Sequence, residues 1–128
     1  MLGRATPYLL VAVGGALGAV ARFAVANGFA RRLGTSWPYA TLCINLSGCF
    51  FIALFLAAAS ERNLDPAWRY LFPTGFVGAY TTFSTYGYET VRLVQLGQAA
   101  GAVVYVAASN VLGFGAVLLG SWMARRLF

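Results

Sequence analysis

The chain has 128 residues, of which 60% are hydrophobic and 9% charged, and its formal net charge is +6. Soluble domains carry about 25% charged residues, so a chain this apolar is expected to have lipid as its solvent. Its nine basic residues are all arginines scattered between apolar runs, which disfavours nucleic-acid binding, since that needs a clustered basic face, and fits a membrane interface. The length allows one transmembrane domain over residues 1–128.

The first two predicted membrane spans cover residues 8–30 and 39–59. Each is long enough to cross about 30 Å of hydrocarbon as an α-helix. A signal peptide is the alternative for the first span, but Arg22 and several glycines interrupt the apolar run that it would need. Trp37 lies in the connector between the two spans, where an interfacial aromatic residue is expected.

The third and fourth predicted spans cover residues 67–96 and 99–123, after a polar loop at residues 60–66. As one helix the third segment would be roughly 45 Å long, which exceeds the hydrocarbon thickness. We therefore predict that it is broken near residues 75–82. The predicted fold class is an all-α membrane protein with four transmembrane helices, the third one broken near its middle.

The arginines are almost evenly divided between the two sides of the membrane. Four spans put both ends of the chain on one side, with five arginines there and three on the other, or four when Arg22 is counted with its nearer end. The five are Arg4, Arg62, Arg69, Arg125 and Arg126, and the three are Arg31, Arg32 and Arg92. Because an excess of Lys and Arg sets orientation, this near-balance predicts dual topology. A weak bias that still fixes one orientation is the alternative.

Polar side chains inside the predicted spans are the candidate functional residues, because such groups are costly in lipid and usually face protein or water. Arg22 either snorkels to the interface or attracts anions in a water-filled vestibule. Asn45 either bonds a neighbouring helix or faces a transport path. Thr41 is a weaker candidate, because a hydroxyl can bond its own helix. Tyr105 and Ser109 share a helix face by their i,i+4 spacing.

The third segment contains the stretch GFVGAYTTFSTYGYET, residues 75–90. Its glycines weaken a helix by roughly 1 kcal/mol each relative to Ala, and its hydroxyls can replace lost backbone hydrogen bonds. A broken helix offers carbonyls suited to cations and amides suited to anions. Phe76, Tyr80 and Phe83 are predicted to form one stripe, whose partly positive ring edges could line an anion path. Ordinary aromatic packing is the alternative.

Metal binding of the zinc type and enzymatic catalysis are not expected from this composition. Cys43 and Cys49 lie six residues apart on one predicted helix and face different directions, so they cannot pair with each other. The chain has no His, and it offers no acid pair or polar Cys for acid–base or nucleophilic chemistry.

Three motifs, GGALGAVARF, TLCINLSG and GFVGAYTTFSTYGYET, resemble the Fluc (CrcB) family of fluoride channels, and the resemblance covers nearly the whole chain. It implies an antiparallel homodimer with two fluoride pores at the subunit interface, in the inner (plasma) membrane of the cell. Such a channel releases cytoplasmic fluoride passively and protects the cell from its toxicity. The near-zero arginine bias is what an antiparallel dimer requires.

The resemblance also implies roles for individual residues. Asn45 would be the pore-facing amide, and Phe83 and Tyr86 would turn ring edges toward the ion. Arg22 would lie in or near an aqueous vestibule, and Glu89 towards one end of the pore. The hydroxyl donors along the path would come from Thr82, Ser84, Thr85 and Ser109.

The resemblance further implies a structural Na+ on the two-fold axis of the dimer. Gly78 and Thr81 would give it their backbone carbonyls, and hard cations prefer oxygen ligands. Two positions depart from the family pattern. Tyr86 stands where the family usually has Phe, and Gly113 stands where many members have a hydroxyl residue, so the rate or selectivity of this chain is open.

Two other functions are compatible with four spans. A small dual-topology drug exporter would need a membrane-buried carboxylate in its first span, whereas this chain has no acid before Glu61. A non-transporting subunit of a membrane complex would use the same polar residues only to join helices.

Overall fold

The computed structural model describes Gly3 and residues 5–128, so Arg4, which entered the arginine count, lies outside the described residues. Throughout this part of the chain the secondary structure is helical, with turns between helices and no strand. Three helices are long and apolar enough to cross a membrane. They are α1 (Thr6–Leu33), α2 (Tyr39–Glu61) and α5 (Ala99–Leu127). Each contains one of the continuous predicted spans and exceeds it by a few residues.

The segment between α2 and α5 is divided into two shorter helices. We label as α3 the helical residues 67–80, which are π-helical over Tyr70–Val77 and α-helical on either side. Helix α4 is Phe83–Gln95. Thr81 (φ −78°, ψ 159°) and Thr82 (φ −152°, ψ 112°) between them have extended backbone. The two threonines interrupt the helix, whereas Gly75 and Gly78 have helical backbone.

Pro73 explains the π-helical part of α3. Its ring has no N–H to donate and would collide with the carbonyl four residues earlier in an α-helix. A wider π-type turn relieves this collision by moving the hydrogen bonds to more distant partners. At the end of this stretch the Gly78 N–H bonds the carbonyl of Pro73, five residues earlier, and also that of Gly75.

Glycines bring α1 into backbone contact with α3. Gly14 and Gly18 are buried, and a Cβ atom at either position would overlap a backbone carbonyl, that of Leu71 or that of Phe76. A side chain at Gly75 would meet the α1 backbone in the same way. The pair Gly14 and Gly18 therefore acts as a small-xxx-small contact, and it fixes α3 against α1 just before the interruption.

Helix α5 packs extensively along α2. Gly120 is buried where a Cβ atom would overlap the Phe50 carbonyl oxygen, and Tyr105 is fully buried near the opposite end of α5. Gly97, by contrast, has a φ of 75° in the turn that follows α4, so it ends that helix rather than packing one helix on another. Large apolar side chains remain exposed on every long helix, as expected for surfaces that meet lipid.

Candidate functional site

Asn45 of α2 holds the interruption between α3 and α4. The Thr82 N–H donates to Asn45 Oδ1 at 2.9 Å, and Asn45 Nδ2 donates to the Thr82 carbonyl oxygen at 3.2 Å. In a continuous helix the Thr82 N–H would bond the carbonyl of Gly78, four residues earlier. The amide therefore replaces the backbone bond lost at the break and still has a second Nδ2 hydrogen to offer.

Thr82 in turn caps the N-terminus of α4. Its Oγ1 accepts a hydrogen bond from the Thr85 N–H at 3.2 Å and donates to Thr85 Oγ1 at 3.0 Å. Ser84 Oγ lies 3.3 Å from the same oxygen. These three hydroxyl residues, which the sequence placed on the ion path, are thus joined in one network at the first turn of α4, where the helix dipole favours an anion.

The same hydrogen bonds release two backbone carbonyls. The Thr82 N–H, which would otherwise serve the Gly78 oxygen, goes to Asn45, and the Thr85 N–H, which would otherwise serve the Thr81 oxygen, goes to Thr82 Oγ1. Gly78 is exposed and Thr81 partly so. The family resemblance implied that these two carbonyls hold a cation, and the helical donors of both are engaged elsewhere.

The aromatic residues are divided by the break. Phe72, Phe76 and Tyr80 stack in sequence along α3, with centroid distances of 5.6 and 5.8 Å. Phe83 lies beyond the break, 5.7 Å from Tyr86 and tilted by 46° to it. The extended backbone of two residues changes the helical register, so the predicted stripe of Phe76, Tyr80 and Phe83 is not continuous.

Phe83 is 83% exposed and borders an open groove with a cavity volume of about 310 Å³. Gly48 lines this groove, and α2 lies so close to the break there that a Cβ atom on Gly48 would overlap the Thr81 methyl group. The groove is lined by Asn45, Gly48, Cys49, Ile52, Val77, Thr81, Thr82 and Phe83. It thus brings the predicted amide, the break and one predicted ring into a single surface.

Arg22 lines a second cavity, of about 260 Å³, on another side of the break. Thr82 and Thr85 line the same cavity, and so does the buried Thr41. Arg22 therefore shares a cavity with the hydroxyl residues at the N-terminus of α4, where positive charge and the helix dipole both attract anions.

Glu89 belongs to a network that sequence reasoning underrated. Its two carboxylate oxygens accept hydrogen bonds from Thr41 Oγ1 at 3.0 Å and from Tyr105 Oη at 2.8 Å. The carboxylate also lines a cavity of about 390 Å³ that contains Arg92. The sequence did contain a signal for this face of α2. Thr41, Asn45 and Gly48 follow the i, i+4, i+7 pattern of residues that share one face of a helix.

Ser109, a predicted residue of the ion path, and its neighbour Asn110 lie on α5, apart from the threonine network. The Ser109 hydroxyl oxygen is buried and has no hydrogen-bond partner among the described residues. Asn110, one residue later, donates to the hydroxyl of Tyr86 at 3.3 Å. Tyr86 of α4 is therefore bonded to Asn110 of α5, whereas the Ser109 hydroxyl is bonded to no described residue.

The arrangement suits the passage of a small anion better than bond-making chemistry. The break is surrounded by amide and hydroxyl donors, a helix N-terminus, an arginine and an exposed ring. Among the described residues, no hydrogen bond there pairs a nucleophile with a base. In the described part of the chain no group of three or more His, Cys, Asp or Glu could hold a metal ion. A hard cation would instead depend on backbone oxygens.

Residues 9–121 match the model of the family described as CrcB-like protein, Camphor Resistance (CrcB). The chain belongs to this family. A protein of Acidobacterium capsulatum named fluoride-specific ion channel FluC is 52% identical to it over 94% of this chain and 97% of its own length. A FluC of Koribacter versatilis is 43% identical, covering 94% of this chain and 96% of its own. The resemblance drawn from the three motifs is thus confirmed.

A further member of the CrcB family, fluoride-specific ion channel FluC 1 of Nitrobacter hamburgensis, is 43% identical over 95% of this chain and 98% of its own. The family consists of channels, so the prediction that the chain is not an enzyme is confirmed. Membership of this family, together with three apolar helices of membrane-spanning length, identifies the chain as a multi-pass protein of the inner membrane.

Proposed function

We propose that this chain is a fluoride-selective channel that lets cytoplasmic fluoride leave the cell passively. The names of its relatives support the ion, and the break at Thr81 and Thr82, held by Asn45 beside the exposed Phe83, carries the proposal. In support of this, Asn45, which has a free amide hydrogen, and the ring of Phe83 line one groove at the break. Irregular backbone within a membrane is tolerated only where protein covers it or where it lines a water-filled cavity.

Fluoride is a small anion that binds water strongly, so a channel must replace its hydration with other donors. The second Nδ2 hydrogen of Asn45 and the hydroxyls of Ser84 and Thr85 are such donors, and Ser109 has an uncommitted hydroxyl. Thr82 gives its own hydroxyl proton to Thr85 Oγ1 and so leaves the Thr85 proton free for the ion. The ring edges of Phe83 and Tyr86 carry partial positive charge but no strong donor. A larger and more weakly accepting anion such as chloride gains less from this set.

Two pores are proposed to form where two antiparallel copies meet. The groove of Phe83 is open in one copy, and leaving its polar backbone against lipid would be costly. A second copy related by a two-fold axis would cover both grooves at once. Orientation in both directions is compatible with the near-equal arginine counts. Arg22 and Glu89 would then supply charge in the vestibule and near the end of each pore.

A structural Na+ is proposed at the two-fold axis, held by the carbonyl oxygens of Gly78 and Thr81 from both copies. The donor set fits this ion, because hard cations prefer oxygen ligands and the helical donors to both carbonyls are engaged elsewhere. The bound cation would compensate the partial negative charge that two broken helices bring together.

Flux from liposomes tests the function. Purified protein is reconstituted into vesicles loaded with equal concentrations of fluoride and chloride, and external ion-selective electrodes follow both after valinomycin is added to carry the compensating potassium. We expect rapid loss of fluoride and retention of chloride. Equal loss of both ions would contradict selectivity, and retention of both would favour the non-transporting subunit.

A further inference from the structure

Tyr86 and Asn110 form a side-chain pair between α4 and α5. Asn110 Nδ2 lies 2.8 Å from the Val106 carbonyl oxygen and 3.3 Å from Tyr86 Oη. A carbonyl oxygen only accepts hydrogen bonds, so the contact with Val106 identifies this atom as the amide nitrogen and not the amide oxygen. The direction of the second contact follows: Asn110 donates, and the Tyr86 hydroxyl accepts.

This direction leaves the proton of the Tyr86 hydroxyl free. A phenol hydroxyl has one proton to donate in addition to its accepting lone pairs. Within the part of the chain that the structure describes, no acceptor takes that proton. Moreover, a donor that bonds the hydroxyl oxygen polarises the O–H bond and strengthens it as a donor, because neighbouring hydrogen bonds are cooperative.

The Tyr86 ring lies between two other aromatic rings, and one of them is Phe83. Its other neighbour is Tyr105, whose ring centroid is 5.2 Å away at an interplanar angle of 60°. Tyr105 is fully buried and its own hydroxyl is bonded to Glu89 at 2.8 Å. The Tyr86 ring therefore packs against a buried ring on one side. On the other side its centroid lies 5.7 Å from that of the exposed Phe83 ring.

We propose that the Tyr86 hydroxyl donates a hydrogen bond to the transported anion and that Asn110 is the positioning residue that keeps it a donor. This inference rests on the proposed function. An anion is attracted by the hydroxyl proton and repelled by the lone pairs, and Asn110 occupies the lone-pair side. The Tyr found where the family usually has Phe then adds a donor to the path instead of an obstruction.

A double-mutant cycle in the liposome assay tests the inference. The variants are Tyr86→Phe, Asn110→Leu and the double substitution, each first shown to be monodisperse by size-exclusion chromatography. Removing one hydrogen bond to the ion is expected to lower the initial fluoride rate by roughly two- to tenfold. Asn110→Leu should lower it less, by about twofold at most, and should have no further effect once the hydroxyl is absent.

The ratio of fluoride to chloride rates separates a donor from a packing role. We expect the ratio to fall in Tyr86→Phe and Asn110→Leu, because a lost donor penalises the stronger acceptor more. The matched control is Tyr88→Phe, which removes the hydroxyl of a 67% exposed tyrosine on the same helix and should leave rate and ratio unchanged.

Three outcomes would overturn the inference. A Tyr86→Phe variant with the wild-type rate and ratio would show that the hydroxyl does not meet the anion. An Asn110→Leu effect of equal size with and without the hydroxyl would show that Asn110 does not act through it. Wild-type vesicles that retain fluoride would overturn the proposed function as well, whereas the first two outcomes leave that function intact.

Discussion

Replacing Asn45 by Leu should release the interruption between α3 and α4. Leu has nearly the same size but makes neither of the two bonds that Asn45 makes to Thr82. Hydrogen bonds between membrane helices contribute about 0.6 kcal/mol each on average, which sets a lower bound near 1 kcal/mol. An unpaired buried backbone group costs about 1–3 kcal/mol. Because both residues are only half-buried, we expect a destabilisation of about 1–3 kcal/mol in total.

Two measurements together test this reasoning. Thermal unfolding in detergent, followed by tryptophan fluorescence, should show a lower midpoint for Asn45→Leu. Amide hydrogen exchange should rise locally at residues 81–85, since the Thr82 N–H has lost its acceptor. Asn45→Asp keeps an acceptor oxygen but not the Nδ2 donor, so it should preserve much of the Thr82 protection that Asn45→Leu removes.

The matched control is Ser47→Ala on the same helix. Ser47 bonds carbonyls of its own helix and the hydroxyl of Tyr80, but it makes no bond to the interruption itself. Its substitution should leave exchange at residues 81–85 unchanged. If Asn45→Leu matched the wild type in both the unfolding midpoint and exchange, the amide would not be what holds the break.

Three further predictions follow from the exposed ring, the glycine contacts and the arginine balance. Phe83→Ile should lower the fluoride rate in liposomes at least about tenfold through loss of the ring edge. Phe51→Ile, which changes a 48% exposed ring outside the groove, is the control and should have no effect. An unchanged rate in Phe83→Ile would show that this ring only contributes to packing. Gly18→Ala should lower the free energy of unfolding by about 1–3 kcal/mol, because the added Cβ atom would overlap the Phe76 carbonyl. Gly28→Ala is the control and should have no such effect, because a Cβ atom at Gly28 would have nothing within 4 Å. Equal thermal unfolding midpoints for the two variants would contradict the close contact at Gly18. C-terminal tags should be cleavable by protease from both faces of cell-derived vesicles, and cleavage from one face only would rule out an antiparallel dimer.

The membrane spans could be predicted from the sequence because they depend on local composition. Apolar runs bounded by arginines and polar loops gave the limits of α1, α2 and α5 to within a few residues. The excess length of the third segment indicated that it could not be one straight helix. Asn45 and the threonines near the break were also found from the sequence, because polar side chains inside an apolar run are conspicuous.

What the sequence could not supply depends on contacts between distant residues. We expected the glycines to loosen the backbone, but Gly75 serves the contact with α1, and the extended residues are Thr81 and Thr82, which are β-branched and favour extended backbone. The bonds of Thr41 and Tyr105 to Glu89 join residues up to 48 positions apart. Helical periodicity shows which residues share a face, but it does not show which face meets which.

A last prediction links the amide of Asn45 to the proposed Na+. The Gly78 carbonyl is available because the Thr82 N–H bonds Asn45 Oδ1 instead. In Asn45→Leu the interruption is no longer held, so the Gly78 carbonyl loses the fixed position that a ligand of the cation needs. Replacing Na+ by N-methyl-D-glucamine should therefore lower the unfolding midpoint of the wild type and have a smaller effect on Asn45→Leu. Equal Na+ dependence in the two proteins would show that the amide and the cation act independently, even if each stabilises the fold. No Na+ dependence in either would remove the cation from the proposal while leaving the role of Asn45 at the break to be decided by hydrogen exchange.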